Sequence, residues 1–205
     1  MNHASPKKQT RGPVLTSLPN LLTYARIVMV PAMVAAFYLD GHLANWVTFG
    51  IFVAAAITDY FDGYFARAWE QTSNLGRMLD PIADKLLVSA ALFMLVANGT
   101  IGWGSVIAGI IILSREILVS GLREFLAEVR VSVPVTQLAK WKTTIQMVAI
   151  GFLLVGNAGD NVLPGTLDIG IWLLWIAALL TLYTGYDYFR SGLRHVIKDD
   201  EDAAN

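Results

Sequence analysis

Four aspartates stand between two long apolar runs of the chain. Asp59 and Asp62 lie in Thr58-Asp59-Tyr60-Phe61-Asp62-Gly63-Tyr64-Phe65-Ala66-Arg67; Asp80 and Asp84 lie in Gly76-Arg77-Met78-Leu79-Asp80-Pro81-Ile82-Ala83-Asp84-Lys85. The first pair is spaced i,i+3 and the second i,i+4, so on helices each pair shares one face. A short connection between the two helices predicts antiparallel neighbours with the pairs facing each other. Two divalent cations would supply +4 against four carboxylates, and hard oxygen donors select Mg²⁺, Mn²⁺ or Ca²⁺. With no cysteine in the chain, thiol catalysis and thiolate metal sites are excluded. Of the three histidines, His3 and His195 fall in polar terminal segments and His42 on the side away from the aspartates, so none is a candidate ligand.

The elements that must position these acids are membrane helices. Hydrophobic residues make up 55% of the 205 and charged residues 15%, where an ordinary soluble domain carries about a quarter charged. Mean hydropathy is +0.54, which argues against a water-facing surface of normal polarity. A helix crossing a bilayer needs about 20 residues, and six runs qualify: 21–39, 44–67, 81–97, 103–125, 136–156 and 167–189. Breakers separate them at Asp40-Gly41, Asn98-Gly99 and from Asn157 to Gly165. The expected fold is therefore all-α and polytopic. Its divisions are an N-terminal segment at 1–20, a six-helix membrane domain at 21–190 and a C-terminal tail at 191–205.

The apolar part of the second run is about 22 Å long before it reaches Asp59, at 1.5 Å per residue, against a hydrocarbon core of about 30 Å. Asp59 is thus expected below the headgroup level, where uncompensated carboxylates are costly and ionisable groups are functional candidates by default. Asp62 pairing with Arg67, or Asp84 with Lys85, would account for one acid and not for four.

Basic residues set the orientation. All 15 Lys and Arg fall in four groups, Lys7 to Arg26, Arg67 to Lys85, Arg115 to Lys142 and Arg190 to Lys198. Six spans put all four on one side, which the positive-inside rule makes cytoplasmic together with both termini. The first apolar run is too long for a signal-peptide core and ends in Tyr38-Leu39-Asp40 without a clean cleavage site, which favours an uncleaved span. Asp199 to Asp202 read as a solvated acidic end. Net charge is −1, so no general electrostatic case for nucleic acid exists. Trp46, Trp103 and Tyr188, near span ends, read as interfacial anchors.

Asp59, Asp62, Gly63, Ala66, Arg67, Gly76, Asp80 and Asp84 together resemble the signature of the CDP-alcohol phosphotransferase family: Asp, two residues, Asp-Gly, two residues, Ala-Arg, eight residues, Gly, three residues, Asp, three residues, Asp. Every fixed position of that motif is present. The resemblance extends over the chain, since the family has a six-helix membrane domain with the motif joining its second and third helices. It implies transfer of a phosphatidyl group from a CDP-linked lipid to an alcohol with release of CMP. It implies further that Asp59, Asp62 and Asp80 hold a two-metal centre of Mg²⁺ or Mn²⁺, with Asp84 as ligand and general base. Gly63, Ala66, Arg67 and Gly76, with Asp59 and Asp62, would hold the nucleotide, although small residues at 63 and 66 also suit helix packing. A homodimer is implied in the same way. The chemistry agrees, because two metals can clamp the attacking and leaving oxygens of an in-line displacement.

The acceptor must be read elsewhere. Arg115 and Arg123 lie late in the fourth run, about 80° apart around a helix, and Lys140 and Lys142 open the fifth. Arg115 is too far from the loop for cheap snorkelling. A basic group beside the metals suits an acceptor that carries phosphate, which favours glycerol 3-phosphate over choline, ethanolamine or serine. The stretches around Asn20 to Arg26, Arg115 to Glu124 and Gln137 to Gln146 also resemble the family members that use this acceptor. A member that makes cardiolipin, with phosphatidylglycerol as acceptor, is the nearest enzymatic alternative. A divalent-cation transporter is the alternative of another class, against which stand the one-sided placement of the acids and the lack of an internal repeat.

Overall fold

The computed structural model describes residues 18–68, 74–129 and 137–204, and among them every regular element is helical. The helices are α1 (Leu18–Ala36), α2 (Gly41–Ala68), α3 (Asn74–Ala97), α4 (Trp103–Glu128), α5 (Gln137–Val155) and α6 (Thr166–Ala204), with a single 3₁₀ turn, Gly156–Gly159, after α5. The expected breakers act as turns. Gly41, Gly99 and Gly165 take φ of 64°, 78° and 79°, a left-handed conformation that L residues with a Cβ rarely adopt. Before α6, the Asp160 carboxylate accepts the Thr166 backbone N–H at 3.1 Å, satisfying one orphan donor of the helix start.

Among the described residues three helices are long and apolar enough to cross a membrane: Gly41–Phe61, Trp103–Glu128 and Thr166–Arg190. A shorter apolar helical stretch is Asn20–Ala36 of α1. Six helices stand as expected among the described residues, while length and composition alone mark three of them as spans. Two boundaries differ from expectation. Helix α3 begins at Asn74 rather than at Pro81, with Pro81 one residue past Asp80 removing a backbone donor from the ladder. Helix α6 continues through the expected tail to Ala204.

Helix order in space also departs from expectation. α2 and α3 touch little, and α1 packs against both. α2 and α3 are therefore not packed side by side along their length, since α1 lies against both, yet Asp59 of the first pair still faces Asp84 of the second. On the other side of the bundle α6 packs on α4 and α5, and α5 reaches back to α2. Asn45 of α2 pins that last contact by donating to the Leu154 carbonyl of α5 at 2.9 Å.

Met33, Phe52, Leu87, Ile112, Leu153 and Leu174 form the buried centre, and alanines such as Ala55, Ala91, Ala108, Ala149 and Ala177 let helices approach closely. The outside is apolar as well: Phe93, Ile117, Trp172 and Leu179 are all more than 60% exposed. Such a surface suits lipid rather than water.

Candidate active site

Helix α1 gathers the acids. Asn20, Thr23 and Arg26 follow one another at i,i+3 and are all buried, Arg26 completely so. Arg26 Nη1 donates to Asp59 Oδ1 of α2 at 2.8 Å and reaches Asp84 Oδ1 of α3 at 3.4 Å. Thr23 Oγ1 donates to Asp80 Oδ1 of α3 at 2.7 Å. Asp59 in turn lies within hydrogen-bonding reach of Asp84 and within electrostatic reach of Asp80. The cation is at the back of this group and the acids are in front, with side chains 43% exposed at Asp59 and 55% at Asp84.

Three of the four motif aspartates are thus brought together, from two helices, around side chains of a third. Asp62, Gly63, Ala66 and Arg67 occupy the last turns of α2, and their side chains lie outside the described residues; Gly76 is on the first turn of α3, half-buried. The alternative pairing of Asp84 with Lys85 is not formed, since Lys85 Nζ donates to the Pro81 carbonyl at 3.1 Å. Among the described residues no three acidic or histidine side chains stand as a ready ligand set. Even so, the donor set fits hard divalent cations. It consists of carboxylate oxygens, and among the described residues the three acids Asp59, Asp80 and Asp84 surround the cation Arg26.

The basic group is a second cluster, from α4, α5 and α6. Lys142 is buried and paired with Glu116. Arg115 Nη1 lies 3.8 Å from the same Glu116 oxygen, and its Nη2 donates to Thr184 Oγ1 of α6 at 3.4 Å. Arg123 lies 5.9 Å from the centre of the Tyr188 ring, within electrostatic reach of Arg115 and Lys142. Tyr188 therefore has a partner at the site end, beyond its reading as an anchor. Lys140 is exposed on α5 while Lys142 is buried; at 100° per residue the two point about 200° apart. The structure thus brings Arg115, Arg123 and Lys142 together and leaves Lys140 on another face.

The two clusters lie near each other, since Glu116 is within electrostatic reach of Asp84. Sequence reasoning passed over Glu116, Thr23 and Arg26. The signal for Arg26 was a cation inside an apolar run, the same argument that singled out Arg115.

An apolar cavity of about 740 Å³ opens between α2 and α5. Tyr60 and Phe61, the two residues after Asp59, line one end, and Trp46 and Val162 line the other.

The model of the CDP-alcohol phosphatidyltransferase family matches residues 16–183. The chain belongs to that family. Its relatives include the CDP-diacylglycerol–glycerol-3-phosphate 3-phosphatidyltransferase of Rickettsia bellii, 49% identical over 175 residues, covering 85% of this chain and 94% of that protein. The proteins of the same name from Haemophilus influenzae, 42% identical over 176 residues, and Cereibacter sphaeroides, 39% identical over 219 aligned positions, cover 85% and 90% of this chain and 92% and 99% of those proteins. The family match runs from α1 through α5 and into α6, so the aspartate motif, Arg26 and the cations of the second cluster lie inside it, with Thr184 and Tyr188 just beyond its end.

Proposed function

We infer that the chain transfers the phosphatidyl group of CDP-diacylglycerol to glycerol 3-phosphate, giving phosphatidylglycerophosphate and CMP. One observation carries the reading: acids from α2 and α3 gather around Arg26, and cations from α4 and α5 gather around Glu116. The relatives' shared name supports the same reaction.

In this reading Asp59, Asp62, Asp80 and Asp84 hold two divalent cations, Mg²⁺ or Mn²⁺. When bound, these neutralise the donor diphosphate and the departing CMP. Asp84 takes the proton of the acceptor hydroxyl as its oxygen bonds to the phosphorus carrying the diacylglycerol and the bond to CMP breaks. Asp84 suits the base because it is the most exposed of the paired acids and lies nearest the cationic cluster through Glu116. Arg115, Arg123 and Lys142 hold the acceptor phosphate, and Lys140 adds to the field from the exposed face. The segment with Gly63, Ala66, Arg67 and Gly76 holds the cytidine nucleotide. The cavity beside Tyr60 extends about 21 Å along α2 to Trp46 and suits an acyl chain of the donor. All six helices serve as spans of the bacterial inner membrane, with both termini and the site cytoplasmic, and the protein acts as a homodimer.

The test is CMP release from CDP-diacylglycerol by purified protein with a panel of acceptors. Release only with glycerol 3-phosphate, abolished by chelation, is expected. Equal turnover with phosphatidylglycerol or inositol, or turnover that persists after exhaustive chelation, would sink the acceptor or the metal reading respectively.

A further inference from the structure

We propose that α1 orients the metal-binding carboxylates through Thr23 and Arg26, which act as positioning residues and not as ligands. The inference rests on the metal reading above.

Three contacts from α1 each fall on one oxygen of a carboxylate: Thr23 on Asp80, Arg26 on Asp59 and Arg26 on Asp84. A carboxylate held by one oxygen presents the other in a set direction, and outer partners of this kind are what fix a metal ligand's orientation. The holding groups are themselves immobile. Thr23 is 1% exposed and Arg26 is fully buried, three residues apart on one face of α1. The acids they hold are open on the other side. Because α1 packs against both α2 and α3, its two side chains tie Asp59 on one to Asp80 and Asp84 on the other, beside the direct approach of Asp59 to Asp84.

Simple charge balance is the competing account, and Thr23 separates the two. It carries no charge, so Thr23→Val removes the donor at nearly constant volume and leaves the electrostatics of the site intact. The probe is Mn²⁺ alone, titrated into purified protein in detergent and followed by electron paramagnetic resonance, with thermal unfolding measured in chelator. Thr23→Val should bind Mn²⁺ about 10- to 100-fold more weakly than the parent chain, and Thr23→Ser should restore most of the affinity. Arg26→Lys keeps the charge but shortens the side chain, withdrawing the nitrogen that reaches both Asp59 and Asp84, and should weaken binding as well; it stands in if Thr23→Val does not fold. A purely structural role would lower the unfolding temperature in chelator and leave Mn²⁺ affinity unchanged, and that result in either folded variant would overturn the inference. Failure of the parent chain itself to bind Mn²⁺ would remove the metal reading and the inference with it.

Discussion

Gly185 gives the sharpest test of the acceptor cluster, because it touches no substrate in the proposed reading and acts through Arg115 alone. The Arg115 side chain crosses α6 at this glycine. A Cβ at position 185 would lie 2.9 Å from Arg115 Cγ and 3.5 Å from its Nε. That is about 0.5 Å short of ordinary contact at Cγ, near the root of the side chain, so the guanidinium beyond must swing further than Cγ moves. Its bond to Thr184 Oγ1 is already long at 3.4 Å and its approach to Glu116 is 3.8 Å, so neither has slack. Gly185→Ala should displace the guanidinium from the acceptor phosphate and lose one charge-assisted hydrogen bond, about 1.5–3 kcal/mol. That corresponds to a rise in the KM for glycerol 3-phosphate of about 10- to 150-fold.

Stability should fall by no more than about 2 kcal/mol. Alanine is favoured over glycine inside a helix by about 1 kcal/mol, which offsets much of an overpacking cost of about 1–3 kcal/mol. The assay is steady-state kinetics in mixed micelles with each substrate varied in turn, beside a thermal melt. A folded Gly185→Ala protein with an unchanged KM for glycerol 3-phosphate would refute the placement of the acceptor on Arg115. An equal rise in the KM for CDP-diacylglycerol would refute the division between donor and acceptor clusters.

Arg123→Ala should raise the KM for glycerol 3-phosphate within the same range and leave that for CDP-diacylglycerol nearly unchanged, whereas Lys140→Ala should have the smaller effect of the two, because Lys140 lies on the exposed face of α5; the same kinetics check both. Asp80→Asn should abolish turnover while the protein still folds and inserts, measured as CMP release alongside a melt in detergent, since it removes one charge from the metal site at constant volume. Single cysteines at Tyr38, Trp103 and Val162, which are 80%, 92% and 77% exposed, should be labelled by an impermeant thiol reagent from the periplasmic side in a chain that otherwise has none. Labelling of all three from the cytoplasm alone would invert the topology.

The aspartate motif was legible because its members are close in the chain and their spacing matches a helical face. What orients them was not, since Thr23 and Arg26 lie 57 and 58 residues from Asp80 and Asp84, and spacing along a chain says nothing about a third helix. The short connection between α2 and α3 suggested direct neighbours. Short loops constrain helix ends, however, and along their length α2 and α3 each pack more extensively on α1 than on each other. Lys140 and Lys142 illustrate a related limit: two positions apart, they share a cluster in the sequence and different faces on a helix. Gly185 carried no signal at all, because its role depends only on where Arg115 crosses α6.

An acid at the centre of a phosphate site looks misplaced until the charges are counted. In the proposed acceptor cluster Arg115, Arg123 and Lys142 carry +3, and Glu116 carries −1, leaving +2. A phosphate monoester near neutral pH carries about −1.5 to −2, so the cluster with Glu116 matches it and the cluster without would be over-charged. Glu116 also answers a problem of burial. Lys142 is 1% exposed, and a cation taken out of water without a partner is strongly unfavourable. Held by Glu116, Lys142 and Arg115 can be kept in place before substrate arrives, which reduces the ordering that binding would otherwise require. The same carboxylate, within electrostatic reach of Asp84, sits where the acceptor hydroxyl must pass from the cationic cluster to its base. Arg26 has the mirror-image place, a buried cation among acids, so each cluster carries one charge of the opposite sign at its most buried contact.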